Sequence, residues 1–255
     1  MGLLDGKAAL VAGVANRRSI AWAVARRLAD EGAQLTFTYQ GERLEKAVRE
    51  LAQSVGSDDC LECDMSSDES LDRTFAAVAE RHGGLDLLVH AVAFARAHDL
   101  EGRFTDTARE DFLLAVDVSA YSLVAMARRA EPLMERRGGG AIVTMTYLGG
   151  ERVVPHYNVM GVAKAALESS VRYLASDLGP KGIRVNAVSA GPVRTLAARS
   201  IAGFGTMESI VEERAPLHRH IESDDVGAAA GYLLSDDARN VTGTTLPVEG
   251  GLLTS

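Results

Sequence analysis

Short apolar runs rich in Ala, Val, Leu and Ile alternate with amphipathic helical stretches along the whole chain, and this alternation constrains the fold more than any other feature. Residues 7–12, 34–38, 60–63, 85–90, 140–146, 183–188 and 244–248 read as strands. Between them, residues 19–31, 42–54, 68–82, 111–136, 157–178 and 224–234 read as helices. Strands separated by helices cannot pair through tight hairpins. Each must join the next by a crossover, which gives a parallel sheet with helices on both faces. Right-handed crossovers leave an α/β, doubly wound parallel sheet of about seven strands as the simplest topology. No linker, repeat or low-complexity tract divides the 255 residues, so residues 1–255 are expected to form a single domain. Residues 196–215, with Gly203, Phe204 and Gly205, are the weakest in periodicity; 194–215 is expected to be a substrate lid.

Charge and cysteine usage narrow the function. A net charge of -8 with no basic stripe argues against a nucleic-acid partner. The longest apolar run falls short of the roughly 18–20 residues that span a bilayer, and residues 1–6 lack the pattern of a signal peptide. The expectation is a cytoplasmic protein that meets no membrane. Cys60 and Cys63 form a Cys-x-x-Cys pair, but with no second ligand pair and no helix start beside it. On a strand, residues three apart point to opposite faces, so the two are expected to be structural thiols, and no metal site is expected.

The first strand runs into Gly13-Val14-Ala15-Asn16-Arg17-Arg18-Ser19-Ile20. A dinucleotide site of Rossmann type needs small residues where backbone approaches pyrophosphate, and a helix N-terminus aimed at its charge. Gly13 and Ala15 fit the first need; Ser19 and Ile20 are expected to offer backbone N–H groups and a hydroxyl. The turn lacks two of the three glycines of the usual fingerprint, so its place between first strand and first helix carries the reading. After the second strand stands Gln40, a neutral residue able to meet the adenosine ribose without repelling an extra phosphate; NADH is expected ahead of NADPH.

Tyr157 and Lys164 lie seven residues apart, an advance of about 700° on a helix, close to two turns, so both should face one way. A lysine beside a tyrosine favours the phenolate and is expected to lower the phenol's pKa. A second tyrosine, Tyr147, follows the fifth strand.

The strand–helix order, the turn at Gly13 and the Tyr-plus-Lys helix resemble the short-chain dehydrogenase/reductase superfamily. Most of its members space the pair Tyr-x-x-x-Lys. The wider Tyr157–Lys164 spacing with Tyr147 upstream instead resembles the NADH-dependent enoyl-acyl-carrier-protein reductases of bacterial type II fatty-acid synthesis. Arg18-Ser19-Ile20-Ala21, Phe37-Thr38-Tyr39-Gln40, Cys63-Asp64, Tyr157-Asn158-Val159-Met160 and the run from Arg184 to Thr195 agree as well. The resemblance implies hydride transfer from NADH to C3 of a trans-2-enoyl thioester, with Tyr157 stabilising the enolate oxygen, Lys164 on the nicotinamide ribose and Tyr147 near the thioester. It implies Asp64 and Met65 at the adenine, Ala91, Val92 and Ala93 beside the cofactor, and Val193 and Thr195 at the nicotinamide. Met160, Phe94, Ala197, Phe204 and Met207 are candidates for the acyl-chain channel. Acyl carrier protein as partner and a homotetramer are further implications.

Departures from the family pattern stand at Ala91 and Ala93, where Ser and Gly are usual; the methyl of Ala93 narrows the space beside the nicotinamide. Ala202, Gly205 and Thr206 are neutral where some relatives carry Lys or Arg, leaving Arg194 and Arg199 to meet an acidic carrier. The rival enzymatic reading is a 3-oxoacyl thioester or other carbonyl reductase, which the Tyr spacing disfavours, since Tyr147 stands where such enzymes place a serine. A regulatory NADH sensor is the rival of another class, and it has no need of Tyr157 with Lys164.

Overall fold

The computed structural model describes residues 2–195 and 204–254, and the side chains among these outside 204–208 and 254. Seven parallel strands form one sheet in the order β3-β2-β1-β4-β5-β6-β7. They are β1 Ala8–Ala12, β2 Gln34–Tyr39, β3 Cys60–Glu62, β4 Leu87–His90, β5 Gly140–Thr146, β6 Ile183–Ala190 and β7 Thr245–Val248. Among the described residues, eight α-helices connect them: α1 Ile20–Asp30, α2 Glu42–Ser54, α3 Asp68–His82, α4 Arg109–Val116, α5 Ser122–Glu135, α6 Asn158–Leu178, α7 Phe204–Arg214 and α8 Ser223–Leu234. The expected doubly wound, Rossmann-like sheet is thus present, with the strand order reversing between β1 and β4.

Alternation along each strand splits the core into two layers. Ala9 and Val11, Leu87 and Val89, and Val143 and Met145 face α1, α2 and α8. Leu10, Leu88, Ile142 and Val185 face α3, α5 and α6. Cys60 packs in the first layer and Cys63 in the second, as the strand reading of that pair requires. Both thiols are free and buried, and burial pushes both pKa values up, which makes them poor nucleophiles.

Local chemistry sets the helix ends. Ser67 caps α3 by accepting from the Ser70 amide, and Gly83 closes it in the left-handed conformation. Glu222 and Asp225 form a reciprocal capping box at α8. The helix expected over 111–136 departs from the reading. It runs as α4, a π-helical turn at Asp117–Tyr121, and α5. The widened turn coincides with a side chain bonding into the helix: Ser122 Oγ donates to Val118 O at 2.7 Å while meeting His90 Nε2 at 2.8 Å. The stretch read as weakly periodic contains a helix at Phe204–Arg214. Among the described residues, no helix is long and apolar enough to cross a membrane.

Candidate active site

The sheet is parallel, so the C-terminal ends of its strands share one edge, and the candidate residues stand along it. Gly13 follows β1, Gln40 β2, Asp64 β3, Ala91 β4, Tyr147 β5 and Val193 β6. The crevice where strand order reverses lies between β1 and β4, the expected ligand position in open α/β sheets. Gly13 lies at this point. Its φ of 106° excludes most side chains, and a Cβ there would come 2.1 Å from Ala91 O. Backbone therefore meets backbone across the crevice, and a flat polar ligand can lie against it.

The turn is closed by Ser19, whose Oγ accepts from the amides of Ala15 and Asn16 at 3.1 Å each. The Ser19 amide itself donates to Asn16 O. This corrects the expectation that Ser19 offers a free N–H: its amide and hydroxyl oxygen shape the loop. The orphan donors are the next amides of the first turn, those of Ile20 and Ala21, which have no acceptor among the described residues. A bare backbone crevice ending on unpaired helix amides fits a pyrophosphate. At the far edge, Gln40 Nε2 reaches Asp64 Oδ1 at 3.5 Å, joining the two residues expected at the adenosine end. Met65 is buried in the core below them, and Val92 packs against that layer. Val193 is buried, with its carbonyl accepting from the Thr195 amide at 2.7 Å.

Tyr157 is the cap residue of α6 rather than its first turn, with His156 at φ 62° and Asn158 at φ 38° on either side. The chain enters the left-handed region on both sides of the tyrosine, which itself keeps a negative φ. Tyr157 thus stands outside the helical register of α6, and the seven-residue spacing alone does not put it on the same face as Lys164. The ring is 8% exposed and meets Tyr147 edge to face. Gly149 makes room for it, since a Cβ there would come 2.3 Å from Tyr157 Cδ1.

Lys164 is buried, and its Nζ donates to Met145 O at 2.8 Å. Burial brings its pKa down to about 8, opposed by the charge of Glu168. The expectation that Lys164 lowers the pKa of Tyr157 is not met. Burial raises it well above the ordinary phenol value, with Tyr147 and Glu168 acting in the same direction. The phenol stays protonated, which is the form that donates a hydrogen bond to a developing oxyanion.

Tyr157 and Met160 form a small apolar cluster with Leu100, against which Ala95, Tyr147 and Val154 pack. Leu100, Ala95 and Val154 escaped the sequence reading. They lie in segments without periodicity, and only the tertiary structure lays the 96–102 strap over α6. Asn158 ties the strap down: its Nδ2 donates to Asp99 O at 3.2 Å and reaches Glu101 O and Gly102 O at 3.5 Å. From the other side, Arg96 pairs with the buried Asp111 of α4 at 2.7 Å, and His98 meets the same carboxylate at 3.1 Å. His98, Asp99 and Asp111 offer ligand atoms within 4.8 Å of one another, beside the guanidinium of Arg96.

Phe94, expected at the acyl-chain channel, is placed beside the π turn. Its ring is exposed, and the structure holds its backbone instead: Ser119 Oγ of the π turn accepts from Phe94 N at 2.9 Å and donates to Phe94 O at 3.1 Å. Ser119 Oγ also lies 3.8 Å from Met160 Sδ. Ala93 is exposed beside it. Of the other channel candidates, Ala197 lies outside the described residues, as does the side-chain placement of Phe204 and Met207. His156 is exposed, and His218 and His220 bond to Glu212 on α7.

A doubly wound parallel sheet, a backbone crevice at its reversal point and a buried tyrosine–lysine pair define a nicotinamide-dependent oxidoreductase of the short-chain dehydrogenase/reductase superfamily. Residues 13–253 match the family model described as enoyl-(acyl carrier protein) reductase, and the chain belongs to that family. It is 53% identical over 253 residues to the NADH-dependent enoyl-acyl-carrier-protein reductase FabI of Bacillus cereus, covering 98% of each chain. The crystal structure of the Bacillus cereus enzyme with NADP+ and an indole naphthyridinone superposes with a TM-score of 0.97 at 52% identity, over 100% of this chain and 99% of that one. The reductase of Anaplasma phagocytophilum, in complex with NAD, superposes with a TM-score of 0.96 at 48% identity, over 100% and 96%.

Proposed function

We propose that the chain is an NADH-dependent reductase of trans-2-enoyl thioesters carried on acyl carrier protein, acting in fatty-acid elongation in the cytoplasm. The observation that carries the reading is the Tyr157 ring, buried edge to face against Tyr147 on the helix that also carries the buried Lys164, with burial holding the phenol in its protonated form. When bound, NADH supplies the hydride that adds to C3 of the enoyl thioester. The Tyr157 hydroxyl donates a hydrogen bond to the thioester oxygen, that bond strengthens as negative charge develops there, and C2 of the enolate then takes up a proton to give the saturated thioester. Lys164 holds the nicotinamide ribose, and Tyr147 shields the reacting end from water. Gly13, Ala15 and the amides of Ile20 and Ala21 receive the pyrophosphate. Gln40, Asp64 and Met65 receive the adenosine, and Ala91, Val92, Ala93, Val193 and Thr195 line the nicotinamide end. Met160 with Leu100 and Ala95 forms the start of the acyl channel. Residues 1–255 act as one catalytic domain, with 194–215 as its lid.

The assembly proposed is a homotetramer. Leu113 on α4, Tyr121 in the π turn, and Val162 and Tyr173 on α6 are large apolar side chains left exposed in the monomer, as an interface through these helices requires. Light scattering at micromolar concentration should give four times the chain mass, and a monomer would refute the assembly.

Following NADH oxidation with a trans-2-enoyl thioester and a 3-oxoacyl thioester of equal length tests the activity. Turnover of the enoyl compound alone is expected. Turnover of the oxo compound alone would make the protein a carbonyl reductase.

A further inference from the structure

We propose that Glu168 is a positioning residue of this site: its carboxylate, pinned by the Thr146 hydroxyl, is the counter-charge that keeps Lys164 in its cationic, ribose-binding form. The inference rests on the assignment of Lys164 to the nicotinamide ribose.

Two charged side chains of α6 are stapled to consecutive residues at the end of β5. Met145 O accepts from Lys164 Nζ at 2.8 Å, and Thr146 Oγ1 donates to Glu168 Oε1 at 2.6 Å. The two charges stand one helical turn apart on the same face, and both residues are buried. The turn that follows β5 is shaped around the carboxylate, because a Cβ on Gly150 would come 2.7 Å from Glu168 Oε1. The acid is therefore built into the junction that also carries Tyr147.

Packing alone does not call for a charge at this position. Glutamine has the same shape and would accept the same Thr146 hydroxyl bond. What glutamine lacks is the negative charge, and a buried ammonium without a counter-charge gives up its proton more readily. Among the groups facing Lys164, Glu168 is the one that favours its protonation. His90, on the sheet side, is held neutral, and burial disfavours the ammonium. Glu168 itself faces Thr146 and Lys164, with Glu151 from the turn after β5 and Arg172 one turn along α6. Burial and Glu151 raise its pKa; the Thr146 bond, Arg172 and Lys164 oppose them. The same carboxylate raises the pKa of Tyr157, so its removal would move the tyrosine and the lysine together in turnover. Cofactor binding reports on the lysine alone.

The test is NADH affinity, read by fluorescence titration between about pH 6 and 9.5, for the wild type, Glu168→Gln, Thr146→Val and Lys164→Met. Wild-type affinity should fall as pH rises through about 8. In Glu168→Gln the midpoint should move down by about one pH unit, with affinity at pH 6 unchanged. Thr146→Val, which unpins the carboxylate, should give a smaller shift in the same direction, and it carries the test if Glu168→Gln does not fold. An unchanged midpoint overturns the proposal, and so does an equal loss of affinity at every pH, which marks a packing role. If Lys164→Met binds NADH like the wild type at every pH, the ribose assignment fails first and takes the proposal with it.

Discussion

Tyr147 and Tyr157 meet edge to face, with ring centroids 5.0 Å apart and planes at 67°. The two come from different elements, the end of β5 and the cap of α6. The contact places the positive edge of one ring against the negative face of the other. It buries the Tyr157 ring without consuming its hydroxyl proton.

Tyr157→Phe keeps that ring contact and removes only the hydroxyl. Loss of one oxyanion donor typically costs about 10²–10³ in turnover, so kcat should fall by roughly that factor while the Kd for NADH changes less than about twofold. Stopped-flow turnover with equilibrium fluorescence separates the two. A variant that turns over normally would remove Tyr157 from the chemistry.

Gly13→Ala tests the crevice. The methyl would collide with Ala91 O, and the backbone there has positive φ. Both effects should destabilise the protein by more than about 2 kcal/mol in urea unfolding, with NADH binding lost in the fraction that folds. Normal NADH affinity in this variant would place the pyrophosphate elsewhere.

Asn158→Gly preserves the left-handed backbone and deletes the amide that holds the 99–102 strap. The loss of about 1–1.5 kcal/mol of hydrogen bonding should appear as a rise of roughly tenfold in KM for the enoyl thioester. Neither kcat nor NADH affinity should change much. An unchanged KM would mean that Leu100 needs no such anchor.

His90 predicts how stability depends on pH. Its Nε2 donates to Ser122 Oγ, because that hydroxyl already donates to Val118 O; its Nδ1 therefore accepts from Thr144 Oγ1. Burial, then Lys164, holds the imidazole neutral, with a pKa of about 3 against an ordinary 6.5. Below 6.5 the unfolded chain takes up a proton that the folded chain refuses. Stability should therefore fall as pH drops from 6.5 towards 3, by up to about 1.4 kcal/mol per pH unit from this group. Urea midpoints at several pH values, compared with those of His90→Gln, isolate the slope. An equal slope in the variant would assign it to other groups.

Much of the fold was legible because periodicity is a local property. The boundaries of α2, α3 and β5 coincide with the apolar pattern, and the opposite facing of Cys60 and Cys63 follows from strand geometry alone. Gly13 could be singled out because a strand-to-helix turn leaves a chemical trace, and the Tyr157–Lys164 spacing pointed to a family through resemblance. Tertiary structure decided what depends on partners remote in sequence. The π turn at Asp117–Tyr121 coincides with His90 of β4 bonding to Ser122, which no helical period reports. Leu100 packs with Tyr157 from a strap bonded to Asn158 and Asp111, a contact that no periodicity reports. Glu168 reads as one more polar helix residue until Thr146 is seen bonding to it. The acidity of Tyr157 came out opposite to expectation for the same reason: residue spacing suggests which charges are near, whereas burial, which dominates here, is a property of the packed molecule.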